Sequence, residues 1–168
     1  MTIHLYQKDL PDGLNLGTVV AIDTETMGLD PRRDRLCVVQ LSSGDGHAHL
    51  LQRTFGTRTS PVWCTKIASK LIRTYTDRHG LKYLLLELVG VDVSKAQQTS
   101  DWGAATLTDA QRDYAASDVL YLHKLKAELE AILRRENRLD LAQRCFDFLP
   151  TRAELDLRGW EEPNDIFH

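Results

Sequence analysis

The sequence predicts an α/β fold in which helices pack on a mixed sheet. Three observations predict it. Short β-branched apolar runs, separated by turn residues, occupy the first third of the chain. Helical periodicity dominates the remainder. Thr108 and Gln111 form a capping-box pair that marks one helix start.

Taken in order, Thr18-Val19-Val20-Ala21-Ile22 reads as a buried strand and Asp30-Pro31-Arg32-Arg33-Asp34 as a polar turn. Leu36-Cys37-Val38-Val39-Gln40-Leu41 is a second strand. The short loop Ser42-Ser43-Gly44-Asp45-Gly46 then predicts that 47–51 returns antiparallel as a third. Residues 53–61 are polar and irregular. From Val62 the pattern turns helical, with Ile67, Leu71 and Ile72 on one face. A loop at 74–80, a helix at 81–89 and a mostly loop stretch at 90–106 follow. Beyond the capping box, Leu122, Leu125, Leu129, Ile132 and Leu133 make a sustained apolar face, with Glu130 and Arg134 at supportive spacing. A last helix is expected over 139–149, and an irregular tail over 151–168.

At 168 residues, one domain over 1–168 is expected, long enough to bury a core. No apolar stretch reaches membrane-spanning length, and Met1-Thr2-Ile3-His4-Leu5 lacks a charged-then-apolar leader pattern, so no membrane partner and a cytoplasmic location are expected. Cys37, Cys64 and Cys145 have apolar neighbours and no metal-ligand spacing, which reads as reduced core thiols. The net charge of −3 argues against a long duplex track and leaves room only for a local basic patch.

Two acidic motifs carry chemistry. Asp23 and Glu25 sit at i and i+2 on a strand, so they project from the same face near its end. Tyr114 and Asp118 sit at i and i+4 in a helix and share a face. Where those faces meet, three carboxylates and a phenol converge, a hard-oxygen set suited to Mg²⁺ or Mn²⁺. Taken singly, each pattern also fits an ordinary origin: turns after strands are often acidic, and a helical Tyr beside a surface Asp is common.

Ser100-Asp101-Trp102, Leu107, Gln111 and Tyr114-Ala115-Ala116-Ser117-Asp118-Val119 resemble the signature of ribonuclease D-like 3′–5′ exonucleases, the DEDD class with tyrosine. Asp34-Arg35-Leu36-Cys37-Val38-Val39-Gln40-Leu41-Ser42, the segment opening at Cys64, the segment from Arg73 to Lys82, and Cys145-Phe146 with Leu149-Pro150 resemble the nanoRNase C oligoribonuclease branch more closely still. The resemblance covers nearly the whole chain. It implies a ribonuclease H-like mixed sheet flanked by helices. It implies Asp23, Glu25 and Asp118 as metal ligands, two Mg²⁺ or Mn²⁺ ions, and Tyr114 as the residue placing the attacking water. It further implies short single-stranded RNA or DNA as substrate, down to dinucleotides, and a homo-oligomeric assembly.

The same resemblance exposes a departure. The family carries a helix, a strand and another helix between the third strand and the Cys64 segment, with a fourth acid among them. Here Leu51-Gln52 runs into Thr54-Phe55-Gly56, so one strand and its helices are expected to be absent, with the chain shortened near 52–54. Neither Asp45 nor Asp77 stands in a context to replace the acid. An internal deletion and a segment omitted from this sequence both account for the join. The alternative expectation is a catalytically impaired or dead homologue that binds oligonucleotides or only assembles with partners.

Substrate contacts implied by the resemblance are Thr24, Met27, Arg73, Arg78, His79 and Lys82. Met27 and Leu29 can wedge against terminal bases or simply pack in the core. The basic residues of the 73–82 loop can meet phosphate oxygens, or form a solvated charged face. Trp102 is expected to pack structurally. Trp160 and Phe167 in the tail are aromatic where a monomer would expose them, which favours an interface.

Overall fold

The computed structural model describes residues 2–7, 9–28, 30, 33–45, 47–51 and 60–167. Four strands come first: β1 (Thr2–Tyr6), β2 (Ala21–Thr26), β3 (Leu36–Ser42) and β4 (His47–Leu51). They form one sheet in the order β1-β4-β3-β2. β3 runs antiparallel to both β2 and β4, and β1 runs parallel to β4, so the sheet is mixed as expected. Gly44 takes φ 85° in the loop that turns β3 back into β4, a conformation that favours glycine.

β1 is an element the sequence reading did not contain. Its residues alternate, and Ile3 and Leu5 pack on the core while Thr2 is exposed. The correction at β2 runs the other way. The strand starts only at Ala21, and Val19, Val20 and Ile22 are 50%, 38% and 43% exposed. The strand is last in the described sheet, so it is buried on one face and open at one edge, instead of buried throughout. The expected junction at 52–54 and Leu29 lie outside the described residues.

The helices follow: α1 (Thr65–Ile72), α2 (Leu81–Leu84) running on into a π-helical turn at Leu85–Val89, α3 (Asp109–Leu120), α4 (Leu122–Arg135) and α5 (Leu139–Leu157). The predicted α4 stripe is real: Leu125, Leu129 and Leu133 are wholly buried and meet Phe146 of α5 and Ala68 of α1. α5 outruns the expected 139–149 span and continues through Pro150. Proline removes one backbone donor, but Arg152 pairs with Asp156 and Arg158 with Glu154 one turn on, which supports the extra turns. The expected tail is therefore helical to Leu157 and irregular only beyond it. Among the described residues, no helix is long and apolar enough to cross a membrane.

α3 positions the site. Its buried face is small: Ala115, Ala116 and Val119 are wholly buried, which lets the helix lie close on the sheet, where it contacts all four strands. Its start is locked twice. Thr108 Oγ1 accepts from the Gln111 backbone N–H (3.2 Å), and Gln111 Oε1 accepts from the Thr108 backbone N–H (3.0 Å). Gln111 Nε2 then donates to Ser100 Oγ (3.2 Å) and the Asp101 carbonyl (3.0 Å), tying the helix to the Ser100-Asp101-Trp102 segment. Gln111→Leu removes these bonds and leaves buried partners unmet, so it is expected to cost about 1–3 kcal/mol of unfolding free energy in urea titration. A loss below about 0.5 kcal/mol, the size of an ordinary surface change, would mean that the lock is ornamental.

Candidate active site

β2 alternates, so Asp23 and Glu25 face α3, and Thr24, between them, is exposed. In register, Asp23 stands opposite Gln40 of β3 and Glu25 opposite Val38. Tyr114 and Asp118 lie one turn apart on α3. The two elements meet: one carboxylate oxygen from each of Asp23, Glu25 and Asp118 lies within 4.8 Å of the others. The Tyr114 hydroxyl hydrogen-bonds to Asp118. Its ring rests on Trp102, with centroids 5.9 Å apart, and Trp102 is 2% exposed, the packing role expected for it.

The electrostatics follow from burial and like charge. Burial pushes the Glu25 carboxyl up to about 8, helped by Asp23 and Asp118 and opposed by a hydrogen bond from Gln40. Burial, then Asp23, lifts Asp118 to about 7, with the Tyr114 hydrogen bond pulling the other way. Asp23 is raised by burial, offset by the Thr24 backbone N–H. Tyr114 is raised by burial and then by all three carboxylates, so its phenol keeps its proton. The donors are all hard oxygens from three acids that repel one another, and a divalent cation would relieve that repulsion. The residues present therefore fit Mg²⁺ or Mn²⁺.

Met27 follows β2 and is 54% exposed. It lies against Gly103, where a Cβ would come 2.5 Å from the Met27 sulfur. In the basic loop, the side chains already have partners within the protein. Arg73 is 3% exposed, and its guanidinium donates to Glu87, Ser69 Oγ and the Arg78 carbonyl, so its donors are spent on holding the loop. His79 Nδ1 lies 2.8 Å from Ser69 Oγ, and Lys82 pairs with Asp92 at 3.1 Å. The Arg78 guanidinium stands 5.4 Å from the Tyr83 ring centroid. These residues surround α1 and α2, whereas the acids lie between β2 and α3. One residue of the site was missed in the sequence: Gln40, wholly buried, whose Nε2 lies 3.3 Å from Glu25 Oε1. The available signal was a lone amide inside an otherwise apolar strand.

Residues 44–134 match the family described as 3′–5′ exonuclease. With its mixed sheet and convergent acids, the chain belongs to the ribonuclease D-like DEDD 3′–5′ exonuclease family, on a ribonuclease H-like fold. Within it, the chain is 50% identical to NrnC of Brucella melitensis solved with bound Mg²⁺, covering 100% of this chain and 99% of that one with a TM-score of 0.92. Against the same protein bound to pGG, identity is 51%, coverage 100% and 98%, and the TM-score 0.92. Among curated relatives, DNA polymerase I of Aquifex aeolicus is 41% identical over 99 residues, 59% of this chain and 16% of that protein. Ribonuclease D of Acidiphilium cryptum is 38% identical over 86 residues, 51% of this chain and 22% of that protein. The chain thus spans about a fifth of the length of these two curated relatives.

The raised carboxyls set a pH dependence. Glu25 and Asp118 hold protons in the fold to higher pH than their ordinary values of 4.5 and 3.8. The stability they contribute is full below those ordinary values and is lost as pH rises through about 7 and about 8. In EDTA, the melting temperature is expected to fall steadily from pH 5 to 8.5, and Mn²⁺ is expected to restore it most at the alkaline end. A metal-free melting temperature that is flat over this range would contradict the clustering of the acids.

Proposed function

We propose that this chain is a metal-dependent 3′–5′ exonuclease that hydrolyses short single-stranded oligonucleotides from the 3′ end. The convergence of Asp23, Glu25 and Asp118 beside Tyr114 carries the reading, in a chain that aligns end to end with a nuclease solved with Mg²⁺ and with pGG. Asp23, Glu25 and Asp118 would hold the cation. Divalent ions bound at such acids, two in this class, supply charge stabilisation on the phosphate and ready ionisation of water. The protein's own contribution is placement. The Tyr114 hydroxyl, anchored on Asp118 and kept protonated, orients the attacking water. Thr24 and Met27, exposed beside the acids, meet the terminal nucleotides, with Met27 offering an apolar wedge. Arg78, His79 and Lys82 are the loop residues that would meet phosphate oxygens, each exchanging its present partner, the Tyr83 ring, Ser69 or Asp92, for the substrate. We further assign the chain to the cytoplasm, as one domain that assembles into a homo-oligomer. Exposed Trp160, Ile166 and Phe167 support a contact between copies.

A specific observation favours a second reading. Among the described residues, only three acids converge, and the outer edge of β2 carries no strand partner. A chain short of the fourth acid would hold cation yet turn over slowly, since losing one stabiliser of the leaving oxygen costs about 10²–10³ in rate. Grafting the helix–strand–helix segment of a close relative at 52–54, and comparing both chains on one short RNA with Mn²⁺, separates the readings. A large gain marks an impaired enzyme, and equal rates mark a complete one.

Asp23→Ala or Asp118→Ala is expected to abolish Mn²⁺ binding in isothermal titration while the chain stays folded by circular dichroism. Unchanged affinity in either variant would remove the metal-site reading. Tyr114→Phe is expected to lower turnover on a dinucleotide far more than it weakens binding. Equal turnover would return the phenol to a packing role.

A further inference from the structure

The run that forms β3 is apolar at Leu36, Cys37, Val38, Val39 and Leu41, and polar only at Gln40 before its terminal Ser42. Gln40 is wholly buried, facing the same side as Val38 and the acids. Burying an amide is unfavourable unless its polar atoms are satisfied. Here they are half satisfied. Nε2 donates to Glu25 Oε1 at 3.3 Å, and Oε1, equally buried, has no hydrogen-bond partner. Gln40 stands directly opposite Asp23 and diagonal to Glu25, within reach of a long side chain across the ladder. An apolar residue would satisfy the strand and the core better. The residue that is present serves the acids instead.

We propose that Gln40 is a positioning residue for Glu25: its buried amide fixes the carboxylate that the acid cluster presents to a divalent cation, at the expense of fold stability. The inference rests on the metal-site reading above. The terminal torsion of a glutamate is broad and roughly two-fold. A donor fixed in the sheet holds one oxygen and so narrows the carboxylate's orientation before any ligand arrives. Partners of metal-ligating carboxylates that act in this way typically affect affinity by about 10–100-fold when removed.

The test uses the full chain and Mn²⁺ alone as probe. Gln40→Met and Gln40→Leu, each with the parent, are melted in EDTA and titrated calorimetrically with Mn²⁺. The expected result has opposite signs: a metal-free melting temperature at or above the parent's, and Mn²⁺ binding weaker by about 10–100-fold. In a Glu25→Gln background, Gln40→Met is expected to add no further loss. A lowered melting temperature with unchanged Mn²⁺ affinity would overturn the proposal and make Gln40 a packing residue. So would unfolding of both variants, or an equal loss with and without Glu25. The parent titration separates this proposal from the reading beneath it. If the parent binds no Mn²⁺, the metal site itself falls and Gln40 with it. If the parent binds and both Gln40 variants match it, only the positioning role falls.

Discussion

The structure depends on holding three mutually repelling carboxylates between β2 and α3. Nothing in the acids favours that arrangement, since Asp23 raises the proton affinity of both Glu25 and Asp118, and Asp118 that of Glu25. The surrounding packing imposes it. Ala115, Ala116 and Val119 let α3 settle on the sheet, and Gln111 locks the helix start to Ser100 and Asp101. With the helix fixed at that height, Asp118 arrives at the level of Asp23 and Glu25, and Tyr114 arrives one turn earlier against Trp102. The family signature in this region is therefore partly a packing signature. Its Ser, Trp and Gln build the shelf, and its Tyr and Asp stand on it.

Most of this was legible from spacing. The i, i+2 acids and the i, i+4 Tyr–Asp pair each share a face because strand and helix periods are fixed, and the Thr108–Gln111 capping box set the helix start. What spacing could not supply was contact between the two faces, which is tertiary. Other gaps have the same origin. β1 has only five residues, and its parallel partner lies far along the chain, so local sequence could not name it. The end of α5 was misjudged because Pro150 is a strong local stop that i,i+4 ion pairs beyond it offset. Arg73 looked like a surface cation beside Arg78 and Lys82. Its burial follows from Glu87 one helix away, a pairing that composition cannot reveal.

Gln40 illustrates how a local inconsistency carries information. Every neighbour in β3 obeys the apolar pattern of a buried strand, and one residue breaks it without a full set of partners. Sequence and structure usually agree where folding alone decides, and they part where a site asks for something the core would not choose. The amide is badly placed for stability and well placed for Glu25.

The edge position of β2 bears on what supports the acids. Asp23 and Glu25 come from β2, and Asp118 from α3. β2 is held by β3, and α3 rests on all four strands and on its own cap. None of these supports draws on the sheet's open edge. The three acids are thus held by elements that lie among the described residues. The same edge leaves Ile22 and Thr24 exposed on the face of β2 opposite the acids, so their exposure follows from the strand's last place in the described sheet and leaves the acids' own support untouched.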